Sequence, residues 1–179
     1  MQKILKLTVI LFIVCAIVAG VLGGVNEFTK DRIAEQNRLK TEKAYSAVLV
    51  ADSYEAVDFD AAAFPTVDSI SKAGEAGHVV ETTFSGAQGM ITMAVGVDTD
   101  LKITGISIIK HAETAGLGAV AASTNDKGVA FREQFIGEDK NVAITKAGGN
   151  IEAISGATIT SRTVSEAAGI AVCAVEALG

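Results

Sequence analysis

Residues 4–25 read ILKLTVILFIVCAIVAGVLGGV, an apolar run interrupted only by Lys6 and Thr8. No other stretch limits the chain so strongly. A helix rises about 1.5 Å per residue, so about 20 apolar residues cross a hydrocarbon core of about 30 Å. The run therefore predicts a transmembrane anchor within residues 1–25, with Lys6 near enough to its end to reach the headgroups. A cleaved export signal would use Lys3 and Lys6 as its basic start and Val18-Ala19-Gly20 as its cleavage site. Signal cores run to about 7–15 apolar residues, and this one is longer. Lipid attachment at Cys15 fits poorly, because Phe12-Ile13-Val14 lacks a small residue before the cysteine. An uncleaved anchor is the expectation.

Charge leaves the orientation open. Lys3 and Lys6 stand at the start of the run, while Lys30, Arg32, Arg38, Lys40 and Lys43 follow it. A count of basic residues places the second group inside, yet long domains cross largely regardless of flanking charge.

Residues 26–50 contain no glycine or proline and mix both charges. They predict a stalk helix with Glu35 to Leu39 and Tyr45 toward its inner face. The remaining residues, 51–179, suffice for one domain with its own core. Net charge is −6 and the sequence pI is about 4.9, which argues against nucleic acid as a partner. Aromatic residues make up 5% with no tryptophan, so no base-stacking platform is expected either. Cys15 and Cys173 are too differently placed to pair, and Cys173 reads as a small core residue. With two separated histidines and no Cys/His cluster, no metal site is expected.

Residues 52–77 hold the single proline, Pro65, and read as loop with short helical pieces. Strand signals begin at residues 78–84. Ile91, Met93, Val95 and Val97 then alternate with Thr92, Ala94, Gly96 and Asp98, the period-two pattern of a half-buried strand. Asp98-Thr99-Asp100 marks a turn, and residues 103–109 alternate again, so an antiparallel hairpin is predicted. Gly86 to Gly89 reads as a tight turn joining the preceding pair. Phe131 and Phe135 lie at helical spacing and read as core. In residues 163–178, Val164, Ala168, Ala171, Val172 and Val175 form an apolar helical stripe. The fold class expected is α+β: an anchor and stalk, then an antiparallel sheet with a C-terminal helix.

Two motifs carry chemistry. Ser155-Gly156-Ala157-Thr158 opens that last helix, with Thr160 close behind. Helix N-termini present unpaired N–H groups and partial positive charge, which favour phosphate, and glycine permits close approach. Ser155 or Thr160 could equally be an ordinary N-cap. His111-Ala112-Glu113-Thr114-Ala115-Gly116-Leu117-Gly118 follows a strand directly, where a scaffold can present a loop. Glu113 would repel a phosphate and is better suited to accepting hydrogen bonds from loop amides; Thr114 can donate toward phosphate. Lys146, in the loop before the tetrad, is either a cation for a phosphate or a solvated lysine.

The tetrad resembles the Ser/Thr-Gly-Ala-Thr attachment motif of the covalent-FMN-binding domain family. The earlier loop resembles that family's His-x-Glu-Thr-Pro-Gly-Leu-Gly signature, with Ala115 where proline is usual, which removes one constraint on φ. Within the family the chain looks most like the G subunits of Rnf electron-transport complexes. The related C subunits of sodium-pumping NADH:quinone oxidoreductases are usually considerably longer. The resemblance implies FMN joined through its phosphate to Thr158 by a flavin transferase, with residues 113–118 against the cofactor. It also implies a redox subunit, not a complete enzyme, of a complex that passes electrons between ferredoxin and NAD⁺ while moving Na⁺ or H⁺. The partners implied are the other membrane and peripheral subunits. The setting implied is the cell membrane, crossed once, with the soluble domain extracytoplasmic. No G-x-G-x-x-G fingerprint follows a strand, so NAD is expected to bind elsewhere in such a complex. The other reading is a flavin-free tethered assembly module whose tetrad only starts a helix. A hydrolase reading is weak, because neither Ser155 nor Ser161 lies in a G-x-S-x-G elbow and only His78 and His111 could serve as base.

Overall fold

A computed structural model describes the backbone of residues 2–179 and the side chains from residue 4 onward. Helix α1 (Gln2–Val48) runs 47 residues without a break. By contacts the chain divides into two units, Met1–Lys40 and Thr41–Gly179. In the first unit, the consecutive residues Leu11, Phe12, Ile13 and Val14 are all exposed, and at 3.6 residues per turn they point to every side of the helix. Apolar residues facing outward all round are what a bilayer-crossing helix presents. The helix is long and apolar enough to cross a membrane, with a mean hydropathy of 2.8 in its most apolar stretch. Glu35 does not turn inward as expected: it is exposed and pairs with Arg38 at 2.9 Å, one turn on. Residues three apart on a helix are neighbours, and solvent accommodates both charges there.

The second unit is built on a five-stranded antiparallel sheet in sequential order: β1 (Glu55–Val57), β2 (Val67–Lys72), β3 (His78–Ser85), β4 (Met90–Val97) and β5 (Ile103–His111). The predicted hairpins are present. Gly86 and Gly89 close the β3–β4 turn with an N–H···O bond of 2.7 Å. Asp98 caps the β4–β5 turn, its Oδ1 accepting from the amides of Asp100 (2.9 Å) and Lys102 (2.8 Å).

Residues 52–77 are not the loop with helical pieces expected from sequence, since they contain β1 and β2. A bulge between Val67 and Ser69 shifts the register of β2 against β3. It lets Val67 and Ile70, three positions apart, both join the main core, which erases the period-two pattern. Strand β1 is three residues long and largely exposed, too short to carry a pattern.

Two layers cover the sheet. Helix α3 (Thr158–Glu176) lies on one face with Val164, Ala168, Ala171 and Val172 fully buried, joined by Phe131 and Phe135 from α2 (Asp126–Glu133) and the residues after it. The aromatic pair meets edge to face at 5.4 Å. Cys173 is only half-buried on α3, a departure from the core position expected. On the other face, Ala44, Tyr45 and Val48 from the end of α1 cover Ala73, Val79 and Ala94. The cross-strand glycines Gly96 and Gly105 make room for the Val48 backbone, and the Thr104 hydroxyl donates to the Val48 carbonyl at 2.5 Å. The sheet is thus fixed from both sides, and its end at the β3–β4 turn faces the start of α3.

Candidate functional site

Strand β5 ends at His111, and the chain turns at once into the loop that carries the first motif. The Thr114 carbonyl accepts from the amides of Leu117 and Ala119, both at 3.2 Å, while Gly116 takes a left-handed φ of 77°. These bonds close the turn although Ala115 stands where proline is usual. Helix α3 begins at Thr158. Gly156, with φ 78°, lets the chain reverse into it, and the Ala157 amide donates to the Ile154 carbonyl at 2.9 Å.

Neither Ser155 nor Thr160 is the N-cap. Ala157 holds that position and offers no side-chain acceptor. Ser161 is fully buried, its hydroxyl donating to the Ala157 carbonyl (3.0 Å) and accepting from the Ile154 amide (3.0 Å). The first amides of a 19-residue helix therefore open without a side-chain cap, the arrangement that receives an anion.

The two motifs, 47 positions apart at Glu113 and Thr160, meet through one short bond: the Thr160 hydroxyl donates to Glu113 Oε2 at 2.6 Å. Glu113 Oε1 accepts from the Gln88 amide at 3.0 Å. Burial pushes the Glu113 carboxyl up, but the Thr160 hydroxyl and the amides of Gln88, Ala87 and Gly89 outweigh it and hold it below the usual carboxylate range. The sequence expectation that Glu113 accepts from loop amides is thus met, by a hairpin turn distant in sequence.

Around these bonds lies an open cavity of about 350 Å³, at the small end of the range for ligand sites. Glu113, Thr114, Leu117, Gly118, Gly156, Ala157, Thr158 and Thr160 all line it. Ser155 and Gly116 stand beside lining residues without lining it themselves. Lys146 is not brought to the cavity: it is exposed on the short turn Thr145–Ala147. Ala87, Gln88 and Ile159 also line the cavity, and the sequence reading missed them. The glycines flanking 87–88 signalled a turn, but only the sheet register shows which loops that turn meets.

Hydroxyls in the cavity differ sharply in engagement. Thr160 is 1% exposed and bound to Glu113. Thr158 is half-buried, and among the described residues its hydroxyl makes no hydrogen bond, nor does that of the exposed Thr114. A phosphate monoester fits these residues: an uncapped helix start, a glycine at the approach, and a free hydroxyl beside it.

Comparison with known proteins places this geometry in context. The FMN-binding domain family model matches residues 86–172, and a model of the RnfG N-terminal region matches residues 1–48. The chain is 32% identical to the G subunit of the ion-translocating oxidoreductase complex of Methanosarcina acetivorans, over 93% of this chain and 91% of that one. It is 33% identical to the G subunit of the Na(+)-translocating ferredoxin:NAD(+) oxidoreductase complex of Acetobacterium woodii, over 91% and 87%. The fold is similar to a crystal structure of the C subunit of Na(+)-translocating NADH-quinone reductase from Parabacteroides distasonis, with a TM-score of 0.50 and 24% identity over 74% of this chain and 79% of that one.

Proposed function

Because the chain belongs to the G-subunit family of Rnf-type ion-translocating oxidoreductase complexes and holds an FMN-binding domain, we propose that it is the membrane-anchored electron carrier of such a complex, with FMN held covalently on Thr158. The observation that carries this reading is the free Thr158 hydroxyl at the uncapped start of α3, lining the cavity where the two motifs meet. Attachment forms a bond between Thr158 Oγ and the phosphorus of an activated flavin nucleotide, while the phosphoanhydride bond of that donor breaks. The leaving phosphate takes the electron pair, and the hydroxyl proton passes to a base on the flavin transferase. No electron changes hands in this step.

Once bound, FMN supplies electron transfer, and the protein holds and presents it. The helix-start amides and the partial positive charge of α3 stabilise the phosphodiester. Leu117 and Ile159, 44% and 61% exposed at the cavity, offer apolar surface to a ring system. The ferredoxin and NAD⁺ chemistry named for the Acetobacterium woodii relative is assigned here to other subunits of the complex. Full-length protein produced with a flavin transferase is expected to absorb in the visible, and its denatured band to fluoresce under ultraviolet light. A colourless protein from the same cells sinks the reading in favour of a flavin-free assembly module.

The domain is assigned to the extracytoplasmic side of the cell membrane, with the apolar part of α1 as a permanent single-pass anchor. A covalent tether suits that side, where a lost flavin could not be regained. A cysteine placed at the exposed Lys40 is expected to react with an impermeant reagent in intact cells. Labelling confined to lysed cells makes the domain cytoplasmic.

A further inference from the structure

Two glycines beside the cavity mark the same side chain. A Cβ at Gly86 would run into Glu113 Oε1, and one at Gly118 would run into Glu113 Oε2. Backbone has been left bare on both sides of a carboxylate that is itself only 9% exposed. Both oxygens are engaged within the protein, one by the Gln88 amide and the other by the Thr160 hydroxyl. A carboxylate so placed offers nothing attractive to a phosphate. It joins three segments instead: the β3–β4 turn, the loop after β5 and the first turn of α3. Charge-assisted bonds of this kind are stronger than neutral ones and fix geometry.

The consequence falls on the hydroxyls of α3. Thr160 is held by Glu113, Ser161 by the backbone of residues 154–157, and Thr163 by the carbonyls of Ile159 and Thr160. Thr158 alone among the threonines and serines of the first two turns of α3 keeps its hydroxyl free. We propose that Glu113 is a positioning residue for flavin attachment, which locks three walls of the cavity together and engages Thr160 so that α3 presents Thr158. This rests on the flavin reading above, and its test separates the two.

The full chain is produced with the transferase as wild type, Glu113→Gln, Glu113→Ala and Thr160→Val. Initial rates of flavin loading and the mapped attachment residue are compared, with melting curves to confirm folding. Glutamine keeps the shape and one acceptor oxygen, so Glu113→Gln is expected to load at no less than about half the wild-type rate, on Thr158. Glu113→Ala is expected to load at least about tenfold more slowly, because misplacing a reacting group by about 1 Å can cost about a hundredfold. Thr160→Val, which removes only the donor, is expected to fall between them and carries the test if the alanine variant does not fold. Wild-type loading in both Glu113→Ala and Thr160→Val overturns the proposal, as does equal loss in the glutamine and alanine variants.

A second measurement is independent of the cofactor. In the Thr158→Ala background, amide exchange at Gln88 is expected to rise at least about tenfold on adding Glu113→Ala, and much less on adding Glu113→Gln. Unchanged exchange overturns the lock even where wild type is coloured. A colourless wild type with the exchange effect intact overturns the flavin reading alone.

Discussion

Thr158→Ala is expected to yield a folded protein that carries no covalent flavin. The hydroxyl of Thr158 makes no hydrogen bond among the described residues, so its removal leaves no buried partner unsatisfied. Alanine is also the better residue in a helix, and the residue is not the cap. Stability should therefore move by no more than about 0.5 kcal/mol. Thr160→Ala is the informative contrast. That side chain is 1% exposed and donates to an ionised acceptor at 2.6 Å, so its loss should cost about 1.5–3 kcal/mol. The attachment oxygen remains in that variant. Melting curves with ultraviolet fluorescence of denatured bands separate the two: Thr158→Ala stable and dark, Thr160→Ala less stable and still bright. Peptide mass spectrometry of the wild type should find the flavin on the peptide that holds residues 155–158. Flavin that persists in Thr158→Ala and maps to Thr114, the other free hydroxyl at the cavity, moves the attachment site to the loop.

Both walls that carry the motifs were legible in sequence, because each is local: a loop directly after a strand and a glycine directly before a helix. Helix α3 also announced itself by period, since one face of it is buried and the other is not. What joins the walls was not legible. Glu113 reads as an acceptor for loop amides, and only the fold shows that the amide belongs to the β3–β4 turn and that Thr160 joins it. The turn at residues 86–89 was visible as glycines, yet its role as a wall depends on the length and register of β3 and β4. Lys146 illustrates the opposite case, in which nearness along the chain does not become nearness in space. A basic residue twelve positions before Thr158 is near in sequence, but the turn that bears it leaves it exposed and away from the cavity. Strand β2 was lost for a third reason: its bulge gives two buried residues a helical spacing.

Gly118→Ala is expected to disable the site where Gly116→Ala does not, although both glycines belong to the same motif. Gly116 has φ 77° and open space around its Cα. Alanine there bears the left-handed backbone cost of about 1–2 kcal/mol but meets no neighbour. Flavin loading should continue, at most a few-fold slower. Gly118 is under no such φ constraint, and its requirement is space. An added Cβ would collide with the Glu113 carboxylate and come within 2.7 Å of the Thr160 hydroxyl oxygen. Neither neighbour can retreat, because Glu113 is tied to the Gln88 amide and Thr160 is buried on a packed helix. Overpacking costs about 1–3 kcal/mol, and separating an ionised acceptor from its donor adds about 1.5–3 more. A combined loss of about 2.5–6 kcal/mol is a large share of the stability of a domain this size. Melting temperature and flavin content, measured on both variants, decide the matter. If Gly118→Ala melts and loads like wild type, the close approach of Gly118, Glu113 and Thr160 is not what frames the cavity. If instead Gly116→Ala is the damaging change, backbone conformation in the loop, rather than space for the carboxylate, sets the geometry of attachment.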